Sequence, residues 1–216
     1  MLKQLTGICK NIIYPPRCPG CGASVPVQGE WCDTCTAGIF HFRMIDGSRR
    51  SLGLDGCYAL ADYTGAIRRA LSRLKYNGKV HYGPAFHYML ERFPWPERIA
   101  TCDLVVPVPL YPLKERGFNQ NDIIFRPWAE SHRLKWAEAL QRVRPTASQY
   151  SLDREERREN IQRAFAIKSS FCRVQGHILL VDDIYTTGAT MQTCAAVLKR
   201  KGAKKVTGLA IAGASR

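Results

Sequence analysis

Ile178-Leu179-Leu180-Val181-Asp182-Asp183-Ile184-Tyr185-Thr186-Thr187-Gly188-Ala189-Thr190 is the stretch from which the rest of the chain is best read. Four apolar residues predict a buried strand, two carboxylates stand at its carboxyl end, and a short Thr/Gly turn opens a helix. In a parallel α/β sheet, ligands bind off the carboxyl ends of the strands. The N–H groups of the turn and of the following helix N-terminus offer donors and partial positive charge to a phosphate. The hydroxyls of Thr186, Thr187 and Thr190 add further donors, and Gly188 lets the backbone approach without a Cβ in the way. A lone Asp-Asp after a strand commonly does no more than cap a helix or solvate a turn. Here strand, acids and turn follow one another without a gap, and together they predict a site for a phosphorylated sugar.

That order of elements resembles the phosphoribosyl-pyrophosphate-binding motif of type I phosphoribosyltransferases. The resemblance implies that Asp182 and Asp183 hold the ribose hydroxyls, directly or through magnesium. It also implies that Tyr185, Thr186, Thr187, Gly188, Ala189 and Thr190 surround the 5′-phosphate. A substrate with both a 5′-phosphate and a 1′-pyrophosphate needs a second anion cradle. Asp103 to Pro109 read as a short buried strand running into a Pro-stiffened loop, and Lys114, Arg116 and Gly117 follow. Lys114 and Arg116 bring positive charge and Gly117 brings backbone freedom, so this loop is the candidate for the pyrophosphate. On that reading the catalytic candidates are Asp182, Asp183, Lys114 and Arg116. The scattered histidines fall in no catalytic spacing, and no general base for an acceptor stands out.

Other segments frame these two loops. Gly56 to Tyr63 predict a strand, after which Thr64 can cap a helix with Ile67, Ala70, Leu71 and Leu74 on one face. That helix delivers Lys75-Tyr76 and ends in the turn signal Asn77-Gly78. Another helical stretch runs from about Ala85 to Arg92. A helix is expected after Asn119-Gln120, and Pro127 inside it predicts an early end or a kink, because proline lacks the donor and clashes with the preceding turn. The final helix carries Met191, Cys194, Ala195 and Leu198 on its apolar stripe and closes at Gly202. A buried strand over Val206 to Ala212 ends the series. Between Gln141 and Phe165 lies a long polar segment with Arg142, Arg144, Arg154, Arg157, Arg158 and Arg163. Long segments without structure of their own are usually functional or disordered, and this one reads as a cover over the site and as the candidate contact for single-stranded DNA.

Cys18-Pro-Gly-Cys21 and Cys32-Asp-Thr-Cys35 give two C-x2-C knuckles separated by ten residues. Four thiolates at that spacing can close a tetrahedral zinc site with no open position, which makes the ion structural and not catalytic. A single Cys-x-x-Cys redox pair accounts for either half but not for both. The remaining cysteines are scattered and show no pattern. With four of nine cysteines in a metal pattern and no export signal, the sequence predicts a reducing, cytoplasmic location. No apolar run approaches the ~20 residues needed to span a bilayer. Leu2, Leu5, Ile8, Ile12 and Ile13 recur at helical spacing and predict a short amphipathic helix at the front.

A formal net charge of +14 and a pI near 9.6 predict partners that are polyanions or anionic small molecules. The zinc knuckles after Tyr14-Pro-Pro-Arg17, the Val-Pro-Val-Pro strand with Arg116-Gly-Phe-Asn-Gln120, the Thr146 to Phe165 segment and the Asp-Asp motif occur together in one order. In that order they resemble the ComF family, which takes in the competence protein FC and GntX-like proteins of bacteria. The resemblance implies an α/β fold of the type I phosphoribosyltransferase kind, a mostly parallel central sheet flanked by helices, with a small four-cysteine zinc ribbon in front. The expected division is residues 1–48 for the front helix and ribbon and 49–216 for the phosphoribosyltransferase domain. The implied ligands are structural zinc, magnesium with phosphoribosyl pyrophosphate, and possible contacts to single-stranded DNA and to a competence helicase or other DNA-uptake proteins. Two functions stand open at this point: a transferase acting on a nucleobase or amine, and a DNA-binding accessory protein that keeps the sugar-phosphate pocket as a sensor or platform.

Overall fold

The computed structural model describes residues 15–47, 53–110, 117–143, 164–171 and 174–214. The front helix, Lys114, Arg116, Arg144, Arg154, Arg157, Arg158 and Arg163 therefore lie outside the described residues, as do residues 48–52 around the expected domain boundary. Helix α1 (Asp33–Ile39) and strand β1 (Arg43–Gly47) lead to β2 (Gly56–Asp62), α2 (Gly65–Tyr76), a single 3₁₀ turn, and α3 (Gly83–Leu90). Then come β3 (Leu104–Pro107), α4 (Gln120–Ser131), β4 (Leu140–Arg142), β5 (Phe165–Ile167), β6 (Gly176–Tyr185), α5 (Ala189–Arg200) and β7 (Ala203–Gly213).

Five strands form one sheet in the order β1-β2-β7-β6-β3. The last four run parallel, and β1 pairs antiparallel at the edge beside β2. Segment 43–47, just behind the cysteine knuckles, thus joins the central sheet directly. At the other edge the Val105 N–H donates to Lys135 O (2.7 Å) and the Ala137 N–H to Val105 O (3.0 Å), so a loop covers β3. Strands β4 and β5 pair separately as an antiparallel ribbon.

The central strands β6 and β7 are buried on both faces, as the near-continuous apolar runs at 178–181 and 206–212 require. Leu179 and Val181 face a core with Leu71 and Leu74 of α2, Phe86 and Met89 of α3, and Ile124 and Phe125 of α4. Ile178 and Leu180 face the opposite layer, built from Met191, Cys194 and Leu198 of α5 together with Leu140 and Phe165. The result is three layers, with α2, α3 and α4 on one side and α5 on the other.

Of the two outcomes expected for α4, an early end or a kink, the first does not occur. The helix does not end at Pro127 but continues to Ser131. Proline cannot donate to the carbonyl four residues earlier, which belongs to Ile123. His87 of α3 meets that carbonyl instead, with Nε2 3.2 Å from Ile123 O. The neighbouring helix replaces the missing bond, and Ile124, Phe125, Trp128 and Ala129 are buried around it.

Candidate functional site

Strand β6 runs through the acid pair to Tyr185, so Asp182 and Asp183 sit within its last residues and not beyond its end. Asp182 is opposite Ala210 and Tyr185 opposite Gly213 on β7. Successive strand side chains diverge to opposite faces, and the two carboxylates accordingly find different partners. Asp182 Oδ1 accepts from Asn121 Nδ2 (3.2 Å) and from the Asp183 N–H (2.9 Å). Asp183 forms an ion pair with Lys75 at the end of α2. Both acids are buried, at 9% and 4% exposure. Burial and the charge of Asp183 raise the Asp182 carboxyl above the usual carboxylate range, against the smaller opposing pull of Asn121 and Lys75.

The location follows from topology. Strands β3 and β6 are neighbours, yet the helices that follow them, α4 and α5, pack on opposite faces of the sheet. A crevice at the carboxyl ends of two such strands is where ligands of open α/β sheets bind. Asn119 and Asn121 bring the start of α4 into that crevice. Asn119 caps the helix by accepting from the Asn121 N–H (3.0 Å), and both side-chain amides donate to Val108 O, at 3.4 and 3.2 Å. This fixes Asn121 against Asp182.

On the other side of the crevice, Thr186 and Thr187 are exposed and lead through Gly188 into α5. Gly188 has φ +79°, and a Cβ there would collide with the Tyr185 ring. The turn therefore requires glycine. The Ala189 N–H points to Thr187 Oγ1 at 3.4 Å, and Gly188 leaves the helix start without a side-chain cap of its own. Thr190 is exposed on the first turn, one residue past half-buried Ala189. Gly117 is exposed with φ +72°, at the margin of the segment that holds Lys114 and Arg116. Arg142 is half-buried, with its guanidinium carbon 5.6 Å from the Phe165 ring centre, at the foot of the segment read as a cover.

The structure thus brings together Asp182, Asp183 and the 185–190 turn. It adds Lys75 and Asn121, which sequence reasoning did not place there. Asn121 follows directly on the Asn119-Gln120 pair, and Lys75 ends an amphipathic helix, but neither position announces its partner. The Asn121 to Asp182 bond spans 61 residues of sequence.

Cys18, Cys21, Cys32 and Cys35 form a second centre. Their ligand atoms all lie within 4.8 Å of one another, and Cys21 Sγ is 3.5 Å from Cys32 Sγ. Zinc–sulfur bonds of ~2.3 Å in a tetrahedron place the sulfurs about 3.8 Å apart, so the four thiols fit zinc. Burial raises the Cys18 thiol, but hydrogen bonds from the backbone of Cys32, Cys21 and Gly20 outweigh it and bring the group down to about 6. Cys35 moves the opposite way, pushed up by burial and then by the other three thiols. Four thiols crowded in this way favour a cation among them. The knuckles dock on the body through Trp31, whose Nε1–H donates to Ala85 O at 2.8 Å and whose ring meets Phe86 edge-on. A Cβ on Gly20 would lie 2.7 Å from Ala66 Cβ, which shows how closely the ribbon sits on α2.

An acid pair at the switch point of a mostly parallel sheet, with a four-cysteine ribbon on its helices, defines an α/β protein with an N-terminal zinc ribbon. A double zinc ribbon domain matches residues 9–45. The DNA utilization protein YhgH of Escherichia coli O157:H7 is 33% identical over 155 residues, covering 68% of this chain and 67% of that protein. Competence protein F of Haemophilus influenzae is 23% identical over 213 residues, 93% of this chain and 86% of that one. Competence protein ComFC of Streptococcus pneumoniae is 32% identical over 151 residues, 68% and 64% of the two chains. The chain belongs to the ComF family. Among the described residues, no helix is long and apolar enough to cross a membrane.

Proposed function

We propose that the protein binds phosphoribosyl pyrophosphate with magnesium and transfers the phosphoribosyl group to a nucleobase or related amine, in the service of DNA uptake and use. The observation that carries this reading is the buried acid pair of β6 at the switch point, followed at once by the Thr186-Thr187-Gly188 turn into α5. The turn and helix start would take the 5′-phosphate. Asp182 and Asp183 would accept from the ribose hydroxyls, with Lys75 yielding or sharing Asp183. Magnesium enters in this account with the pyrophosphate as part of the substrate. Two buried carboxylates already turned to an amide and an ammonium do not resemble an open pair of metal ligands. Lys114 and Arg116 remain our candidates for the departing pyrophosphate.

In the reaction the bond from the anomeric carbon to pyrophosphate breaks, with its electron pair leaving on the pyrophosphate. A bond to the acceptor nitrogen forms, and the nitrogen's proton passes to solvent. The nearby carboxylates favour the cationic sugar between these two events. The names of the relatives and the charge of +14 support the DNA connection. A four-thiol centre suits a reducing, cytoplasmic setting. Pyrophosphate release, measured with magnesium, phosphoribosyl pyrophosphate and a panel of bases and amines, tests the transferase. Release that depends on one acceptor class supports it. Tight binding without release for any acceptor favours the second reading, in which the pocket serves a DNA-binding accessory protein as a sensor.

A further inference from the structure

Helix α2 carries Arg68, Arg69, Arg73 and Lys75 and no acidic residue. Like charges at i and i+4, as at Arg69 and Arg73, destabilise a helix by a few tenths of a kcal/mol, roughly as much as opposite charges help. Lys75 is matched by Asp183. Among the described residues, none of the three arginines makes a salt bridge. Instead they line a groove of about 480 Å³, open to solvent, which among the described residues is also lined by Gly65, Ser72 and Asn77.

Two of the three guanidinium groups are held in place from behind. Arg69 Nε–H donates to Gly20 O (2.7 Å), and Arg73 Nη1–H donates to Pro19 O (2.8 Å), both in the first cysteine knuckle. A guanidinium has five N–H donors, so each keeps donors for the groove after binding the ribbon. Arg68 is exposed, and among the described residues its side chain has no hydrogen bond or ion pair to the protein. The knuckle thus holds positive charge along a concave surface that, among the described residues, has no carboxylate in its lining. On a helix, Arg68, Ser72 and Lys75 follow one another at i, i+4 and i+7 along one side. From Arg68 to Lys75 is ~10 Å of helix axis, so one end of the groove leads toward the acid pair.

We propose that this arginine groove along α2, braced by the zinc ribbon, binds the phosphodiester backbone of single-stranded DNA and lays the strand beside the sugar-phosphate site. The proposal rests on the DNA part of the function proposed above. Its chemistry is phosphate recognition by guanidinium forks, which is strong, tolerant of sequence and steeply dependent on salt. It assigns the ribbon a second task besides its own fold: holding Arg69 and Arg73 in the orientation that meets the strand.

The test is fluorescence anisotropy with a labelled oligothymidylate, measured across a range of salt with the zinc-loaded full chain. Arg68 is the residue to change, because among the described residues its side chain has no hydrogen bond or ion pair to lose. Arg68→Glu should weaken binding at least tenfold at low salt, while zinc content and melting temperature stay unchanged. Arg68→Ala should flatten the log–log salt slope by about 0.7, one phosphate's worth on a single strand. Arg68→Lys should restore most of the affinity. Calorimetric binding of magnesium–phosphoribosyl pyrophosphate should be the same in all three variants, because the groove and the sugar-phosphate site are separate. If the wild type binds the oligonucleotide and Arg68→Glu binds it equally well, the groove is wrong and the DNA reading stands. If the wild type binds no oligonucleotide at low salt, both fail. If millimolar phosphate abolishes oligonucleotide binding at constant ionic strength, the groove is a small-anion site and the proposal is overturned.

Discussion

Lys75→Met should destabilise the protein far more than the loss of an ordinary surface lysine. The Lys75 side chain is 13% exposed and the Asp183 side chain 5%, and the two form an ion pair beneath the crevice. Removing one partner of a buried pair leaves a charge without compensation, at a cost of ~3–5 kcal/mol. The lower end applies here because the residual exposure gives water some access to the site, so about 3 kcal/mol is expected. For a chain of this size each kcal/mol moves the midpoint by ~2–4 °C, which gives a fall of about 6–12 °C. Asp183→Asn should cost a similar amount, because it strands the ammonium. The double variant Lys75→Met/Asp183→Asn removes both charges and should recover at least half of the loss. Thermal and urea unfolding followed by circular dichroism gives the four corners of this cycle. Single substitutions within ~0.5 kcal/mol of wild type, or a cycle that is additive, would show that the pair is not a buried couple and that Lys75 does not belong to the site.

A second cycle tests the helix that runs through its proline: His87→Phe leaves Ile123 O unpaired and should cost ~1–3 kcal/mol, whereas in His87→Phe/Pro127→Ala the N–H restored at position 127 can reach that carbonyl and most of the loss should vanish in urea melts. For the ribbon, elemental analysis should find about one zinc per chain, and Cys18→Ser with Cys32→Ser should lose it and red-shift the fluorescence of Trp31 as its contact with Ala85 opens. Burial lowers the His87 and His177 imidazoles below their usual range. The folded state thus binds fewer protons than the unfolded one just below the ordinary value of ~6.5, so stability contributed by these groups is complete above that pH and declines as pH falls through it toward the folded values. Unfolding curves at pH values of about 7.5, 6.5 and 5.5 should show this decline, and His177→Gln should reduce its slope.

The parts of the fold that can be read from sequence are those whose cause is local. The apolar run before Asp182 makes a buried strand wherever it lies, and Gly188 marks a turn that only glycine fits, since Tyr185 fills the space beside it. The paired Cys-x-x-Cys spacing likewise points to the cluster of four sulfurs from a short stretch of sequence. What the sequence hides is set by distant residues. The proline in α4 ought to break the helix on local grounds, and it fails to do so because His87, on another helix, takes over the carbonyl. Lys75 looks like one more solvated charge until α2 packs against β6. Asn121 looks like a helix-start residue until the switch point places it on Asp182. Strand β6 outruns its predicted end because β7 continues beside it as far as Gly213.

Whether the acid pair and the turn behind it form a phosphoribosyl-pyrophosphate site is probed most cleanly by Asp182→Asn. An amide at 182 keeps an oxygen for Asn121 and for the Asp183 N–H. It also removes the charge that burial and Asp183 already disfavour. The variant should therefore melt no lower than wild type, unlike any change at Asp183. Isothermal titration of magnesium–phosphoribosyl pyrophosphate into both proteins is the measurement. Saturable, magnesium-dependent binding to the wild type is expected, with at least a tenfold loss in Asp182→Asn at undiminished stability. Equal affinities for the two proteins, or no binding to a stably folded wild type, would contradict the assignment.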